Sequence, residues 1–390
     1  YADVCLINTC SVTDNADKKA NKLIRSINLK FPESKIVVYG CYAQLKPEFI
    51  SKIPGVTAVI GTEEKFNINN ILSDKITHST YKSSIENVTN FNISYSINER
   101  TRAFIKIQDG CNYNCSFCTI PLARGKSRSS TINDTVKEIQ YVINHGIKEV
   151  VISGINLGDF GYQHNESLEM LLIELEKIKK LERYRLSSIE PNLLNENILK
   201  LMSASKKALP HLHIPLQSGS NRILKLMKRR YSVEDYQNTI KLVKKIMPEA
   251  CIGVDVIIGF PTENDKDFKS TYKFLDKMDI SYLHVFTYSK RENTLAENIK
   301  PEVDEKNKIE RRNQLRLLSS KKYNNFIKKN IGNTSKVLFE NISDGYISGW
   351  TENYIKVSMK ANKKYLNQIK KVQLNDFNNN IAYGVLLNEA

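Results

Sequence analysis

The stretch GCNYNCSFC places thiols at Cys111, Cys115 and Cys118 in a chain that has only seven cysteines. Three thiolates on one short loop can hold zinc, but a structural zinc site takes four ligands and no fourth follows nearby. A cubic iron–sulfur cluster tied down by three cysteines instead leaves one iron open to a small molecule. Two further thiols, Cys10 in INTCSVT and Cys41 in YGCYAQ, each come just after an apolar run that reads as a strand. A parallel sheet would set both at one edge, although thiols so placed can also be inert. Cys5 falls inside such a run and Cys251 opens another, so neither is a natural ligand. The odd count, spread over 390 residues, argues against a disulfide framework and for metal or redox chemistry in a reducing compartment.

The elements that must position these thiols follow from periodicity. Val4–Asn8, Lys35–Gly40 and Val56–Ile60 read as strands, Asn15–Leu29 as a helix, and Pro47 suits a helix start. That βαβαβ order predicts a small parallel α/β domain over residues 1–80. The chain opens at Tyr1 within what reads as a strand, so a natural start upstream is expected. Residues 62–100 are rich in Asn, Ser, Thr and Lys and read as the trailing part of this domain and a linker.

Six strand candidates then alternate with helices: FIKI (104–107), EVVIS (149–153), YRLSS (184–188), HLHIP (211–215), CIGVDVIIG (251–259) and YLHVFTYS (282–289). Helical periodicity covers Thr131–His145, Leu168–Lys177 and Asp265–Met278. The alternation predicts a partial (βα)6 barrel, or a doubly wound sheet, over residues 98–305, with reactive loops at the C-terminal strand ends. The thiol loop leaves the first of these strands at that end. Residues 306–330 read as a helical connector, and KVLFE, YISGW, YIKVSM, KKVQL and AYGVLL predict a small β-barrel over 331–390. The fold class is thus α/β with an all-β module at the C-terminus.

Lys and Arg number 58 against 42 Asp and Glu, a formal charge of +16, which suits a polyanionic partner. The sequence contains neither an apolar run of 18 residues nor an export signal, so no membrane partner is expected and a cytoplasmic location is the default. Arg124, Lys126 and Arg128 follow the thiol loop, where a polyanion would enter. Trp350, Tyr354 and Lys356 interleave aromatics with charge, suited to stacking bases and meeting phosphates, although Tyr346 and Trp350 equally suit a core.

The C-x3-C-x2-C spacing with Phe117 before the last cysteine resembles the radical S-adenosylmethionine (SAM) superfamily. The resemblance implies that Cys111, Cys115 and Cys118 ligate a [4Fe–4S] cluster whose open iron binds SAM. It implies cofactor contacts at successive strand ends: Gly154 in SGINLGDFG, Glu190 in SSIEP, Gln217 and Ser218 in HIPLQSGS, and Ile258 in IIGFPTE. NTCSVT and GCYAQ resemble the N-terminal domain of the methylthiotransferases, in which three cysteines ligate a second [4Fe–4S] cluster. Cys10 and Cys41 match two of the three; the family's other ligand precedes the stretch present here.

The C-terminal barrel resembles a TRAM domain, which binds RNA. KIQDGCN (106–112), IPLARGKSRS (120–129), VLFE (337–340) and GWTENYIKV (349–357) resemble the branch acting on N6-threonylcarbamoyladenosine beside the tRNA anticodon. The isopentenyladenosine branch reads YGC before the second ligand, and the branch acting on ribosomal protein S12 reads EGC. The resemblance therefore implies replacement of the adenine C2–H by a methylthio group through radical chemistry, with tRNA as substrate and an electron donor of unknown identity as partner. A cluster-stabilised RNA-binding module without catalysis is the reading from another class.

Overall fold

The computed structural model describes residues 2–73, 79–96 and 101–387. Contacts divide the chain into two compact units that exchange segments: one comprises Tyr1–Asn92, Asp109–Arg128 and Ser289–Ile299, the other Ile93–Gln108, Ser129–Tyr288 and Lys300–Ala390.

In the first unit β1 (Val4–Thr9), β2 (Lys35–Gly40), β3 (Val56–Ile60) and β4 (Ser79–Tyr81) form one parallel sheet in chain order. β2 is buried along almost its whole length, as an apolar run between parallel neighbours requires. The helix Asp14–Lys30 is started by Thr13, whose hydroxyl accepts from the Ala16 amide, and buries Ile24 against the sheet core. Pro47 opens a short helix, where its missing N–H costs nothing. The stretch read as a linker does more than connect. It supplies β4 to this sheet and the short β5 (Ser94–Tyr95) to the next, while residues 74–78 and 97–100 of it lie outside the described residues.

The second unit carries the six expected strands: β6 (Arg102–Lys106), β7 (Glu149–Ser153), β8 (Arg183–Leu186), β9 (His211–His213), β10 (Cys251–Ile258) and β11 (Tyr282–Thr287). Ladders join β6 to β7 and β7 to β8, and β9 to β10 to β11, all parallel. Single bridges Tyr184↔Ala208 and Ser188↔His213 span the seam between β8 and β9. The result is a partial barrel with strands in chain order and helices outside. The 26-residue helix Glu305–Asn330 covers the edge of β11: the Ser319 hydroxyl accepts from the Leu283 amide and donates to the Leu283 carbonyl.

At the C-terminus β12 (Thr334–Ser343), β13 (Tyr346–Trp350), β14 (Lys356–Lys360), β15 (Ile369–Asn378) and β16 (Ile381–Leu386) close into a barrel, in the order β12-β13-β14-β16-β15. Its core holds Val337, Phe339, Ile347, Val357, Val372 and Leu374, together with Phe326 and Ile327 from the long helix.

A buried charge cluster fixes this barrel at the N-terminal ends of the partial barrel's strands. Glu149, fully buried, forms ion pairs of 2.7 Å with both Arg183 and Arg185, and Arg102 pairs with Glu340 of β12 at 2.6 Å. Arg185 also donates to the carbonyls of Thr351 and Glu352 at 2.7 and 2.8 Å. Burial alone would raise the Glu149 pKa; the guanidiniums of Arg185, Arg183 and Arg102 outweigh it and hold the carboxyl below its ordinary range. The folded-state pKa is the lower one, so this stabilisation is present at neutral pH and is lost as pH falls through it.

Glu149→Gln removes the counter-charge of three buried arginines without changing shape, and should cost roughly 3–5 kcal/mol. Urea denaturation of the second unit's transition at pH 7 measures this, and the variant should lack the wild type's loss of stability in acid.

Candidate active site

The first unit gathers the thiol loop with Cys10 and Cys41. β1 and β2 pair in parallel with Thr9 opposite Gly40, about 5 Å apart, so Cys10 and Cys41, the next residues, leave the sheet at the same end of adjacent strands. Cys5 lies five residues back along β1, about 16 Å from that edge, and is no substitute ligand. Cys251 lies in the other unit, fully buried in the core shared with the C-terminal barrel, and burial pushes its thiol up to about 12. None of the seven cysteines is in a disulfide.

The loop from Cys111 to Cys118 is shaped by its backbone. The Cys111 amide donates to the Gly125 carbonyl at 3.1 Å and the Cys118 amide to the Cys115 carbonyl at 3.1 Å. Gly110 sits at φ +71°, and a Cβ there would come 2.0 Å from the Lys126 carbonyl oxygen, so only glycine closes this turn. Two sulfurs already receive amide donors: Tyr113 N–H to Cys111 Sγ at 3.3 Å, and Ile120 N–H to Cys118 Sγ at 3.4 Å. Donated N–H groups suit sulfurs that carry thiolate charge on iron. All three cysteines are partly exposed, and three thiols on one loop fit a cluster with an open iron.

The helix Ile120–Arg124 follows Cys118 directly and ends on the residue that ties the two thiol sets together. Arg124 donates through Nε to Cys41 Sγ at 3.2 Å and through Nη1 to Asp109 Oδ1 at 3.0 Å. Alongside, Thr119 reaches the Ser11 carbonyl at 3.4 Å, and Arg291 grips Ser11 and Asp17 at 2.6 and 2.7 Å. The residue after Cys10 is thereby linked to the residue after Cys118.

These contacts revise the basic residues expected to meet RNA. Arg128 is only 4% exposed and spends its guanidinium on the carbonyls of Asn90 and Arg124. Arg124 is occupied as described, and Lys126 alone of the three is exposed. The aromatic pair is corrected likewise. Tyr354 stacks between His211 and Trp350, with ring centroids at 4.2 and 4.5 Å, while Arg185 lies beside the Tyr354 ring and Arg102 beside the Trp350 ring. Trp350 and Tyr354 therefore belong to the packing between the two barrels of the second unit, and Lys356 beside them is half-buried. Among the described residues, the exposed cations of the small barrel are Lys336, Lys360, Lys363, Lys364 and Lys371, in turns and on strand faces that the interleaving pattern passed over.

The strand-end residues of the second unit divide by role. Gly154 follows β7, and a Cβ there would meet the Gln108 side chain at 2.9 Å, so the backbone stays bare. Gln108 Oε1 accepts from the amides of Ile155 and Asn156 at 2.8 and 2.9 Å and holds the loop open. Glu190 is half-buried and ion-paired to Arg229. Gln217, at φ +71°, continues β9 through its backbone, donating to the Asp255 carbonyl and accepting from the Ile257 amide. Ser218 is buried against Thr271. Ile258 is 1% exposed and points into the core; by strand alternation its half-exposed neighbour Ile257 forms the open shelf instead. Missed altogether was a polar group on the open face of β9–β11, formed by His213, Asp255 and His284.

Residues 105–275 match the Radical SAM superfamily, and residues 1–61 match an uncharacterized protein family, UPF0004. The threonylcarbamoyladenosine tRNA methylthiotransferase MtaB of Aquifex aeolicus is 38% identical over 369 residues, covering 93% of this chain and 89% of that protein. The chain belongs to the radical SAM methylthiotransferase family. The MtaB protein of Bacillus subtilis is 36% identical and covers 96% of this chain and 85% of its own length. The tRNA-2-methylthio-N(6)-dimethylallyladenosine synthase of Thermodesulfovibrio yellowstonii is 33% identical over 80% of this chain and 73% of that one. In fold, 76% of this chain resembles 66% of the radical SAM methyltransferase TsrM from Kitasatospora setae, with a TM-score of 0.58 at 15% identity. The family's cofactors are SAM and two [4Fe–4S] clusters; the three cysteines of the 111–118 loop fit one, and Cys10 and Cys41 supply two of the three thiolates the other takes.

The Arg124 contact has a measurable consequence. A donated N–H and an adjacent positive charge both favour the reduced form of a cluster, so if Cys10 and Cys41 ligate one, Arg124→Met should lower its reduction potential while iron content stays unchanged. An electron-paramagnetic-resonance redox titration of anaerobically reconstituted protein reads the shift.

Proposed function

We propose that this protein inserts a methylthio group at C2 of N6-threonylcarbamoyladenosine at tRNA position 37. The observation that carries this reading is near-full-length similarity to threonylcarbamoyladenosine enzymes at 36–38% identity on a chain that retains both thiol sets. The motifs KIQDGCN and IPLARGKSRS favour the same branch.

The carbon attacked is an aromatic C–H with neither an acidic proton nor a leaving group, so side-chain acid–base chemistry cannot activate it. When bound, the clusters and SAM supply one-electron chemistry, sulfur and a methyl group. The chain's own residues do the positioning. Cys111, Cys115 and Cys118 present thiolates on a loop whose amides orient two of the sulfurs. Cys10 and Cys41 would supply two of the second cluster's three cysteine ligands, with Arg124 on the latter's sulfur. Gly154, bare of a Cβ, and the loop whose amides Ser187 and Gln108 hold would meet the methionine end of SAM through backbone carbonyls. The exposed lysines of the small barrel and Lys126 offer contacts to tRNA phosphates. Among the described residues no helix is long and apolar enough to cross a membrane. A tRNA substrate accords with action in the cytoplasm.

Anaerobic reconstitution, incubation with tRNA and SAM, and mass spectrometry of the nucleosides test the reading. The threonylcarbamoyl nucleoside should gain the mass of SCH2, and its failure to do so with the wild type would reject the proposal. Cys118→Ser should abolish SAM cleavage while tRNA binding persists; a wild type that binds RNA yet never consumes SAM would instead mark a non-catalytic module.

A further inference from the structure

The open face of β9, β10 and β11 carries side chains that neither thiol set nor the strand-end loops use. Register places them in rows. His284 on β11 lies opposite Asp255 on β10, and one layer toward the C-terminal strand ends Phe286 lies opposite Ile257. His213 on β9 lies opposite Gly253 and reaches up to Asp255, its Nε2 2.8 Å from Asp255 Oδ1. Its Nδ1 meets Ser188 Oγ at 3.0 Å. With Asp255 Oδ1 accepting from Nε2–H, Nδ1 is left to accept from Ser188, so the His213 tautomer and ring plane are fixed.

His284 differs. Its ring stands edge-on to His213 at 5.3 Å and to Tyr282 at 5.1 Å, and its nitrogens have no hydrogen-bond partner among the described residues. It is exposed on this face, and so is Phe286, at 45%. Partial desolvation within the sheet face and the neighbouring His213 lower the His284 pKa, against the pull of Asp255, which favours the neutral ring with one N–H to donate and one nitrogen to accept.

We infer that this face seats the target adenine, with Phe286 and Ile257 against the flat of the base and His284 donating an N–H to a ring nitrogen beside C2. The inference rests on the tRNA methylthiotransferase reading and adds which groups take the base. Three features match this occupant. A half-exposed aromatic beside an aliphatic shelf fits a π-face, the usual way an unstacked base is held. A polar edge lies one row deeper, where a ring edge would reach. Neither row contains a lysine or arginine, so a phosphate is not the matched ligand. A divalent cation is the competing occupant, since His213, Asp255 and His284 bring ligand atoms within 4.8 Å of one another. It would have to break the bond between His213 and Asp255, and it would leave Phe286 without a role.

The experiment compares wild type, His284→Ala and His284→Gln as reconstituted enzymes with tRNA, reading methylthio nucleoside formed per 5′-deoxyadenosine released. His284→Ala should lower this coupling roughly tenfold, the scale of one hydrogen bond. Its affinity for tRNA and its tRNA-independent SAM cleavage should stay within about twofold, because phosphate contacts carry most of the affinity. His284→Gln keeps an N–H donor and should recover much of the loss. Wild-type coupling in His284→Ala overturns the inference and leaves the proposed function standing. A divalent metal, measured by mass spectrometry, that is stoichiometric in wild type and absent from His284→Ala overturns it in favour of a metal site. A wild type that makes no methylthio nucleoside removes both.

Discussion

One guanidinium organises the first unit. Arg124 stands one turn beyond the last cysteine of the loop and spans from Cys41 to Asp109, while its own carbonyl accepts from Arg128. Burying this cation costs hydration, which Asp109 and the Cys41 sulfur, both receiving its N–H groups, offset. The arrangement aims a cationic donor at one sulfur of the second thiol set. Because the helix carrying Arg124 begins directly after Cys118, the same contact holds the two thiol sets in one register.

The second unit depends on an analogous device with different consequences. Glu149, Arg183, Arg185 and Arg102 are too buried to be a cheap source of stability, since desolvating four charges offsets most of their attraction. Their value is geometric. The arginines also donate to carbonyls of the small barrel, so they join two β modules through directional bonds that a greasy seam would not define. The Trp350–Tyr354–His211 stack fills the space beside them. Chemistry is left to the opposite, C-terminal strand ends.

Much of this was legible in the residues. Strands at Lys35–Gly40, Glu149–Ser153 and Tyr346–Trp350, and the helix Leu168–Lys177, follow from local pattern, because apolar period and capping residues act over a few positions. The cysteine loop was legible for the same reason. What pattern could not supply was partnership across the chain. Arg128 looks like a surface cation until Asn90 and Arg124 supply carbonyls for it. Trp350 and Tyr354 look like a stacking surface until His211 takes the face. Ile258 and Ile257 exchange roles on a one-residue choice of register. His213, Asp255 and His284 come from three separate strands, and only the ladders put them side by side.

The separation of charge from shape follows from what such a substrate demands. A net charge of +16 attracts any polyanion, and its effect weakens with salt, so it can deliver tRNA but cannot choose a nucleotide. Choice requires short-range groups that act once the base has left its stack, at a cost of a few kcal/mol. A cation at that point would reward any phosphate that strayed in. A neutral imidazole, an aromatic face and a carboxylate already tied to its own histidine reward a flat, uncharged ring with hydrogen-bonding edges. Exposed lysines on the small barrel and at Lys126 are available for capture, while the β9–β11 rows contain none, so capture and selection rest on different groups.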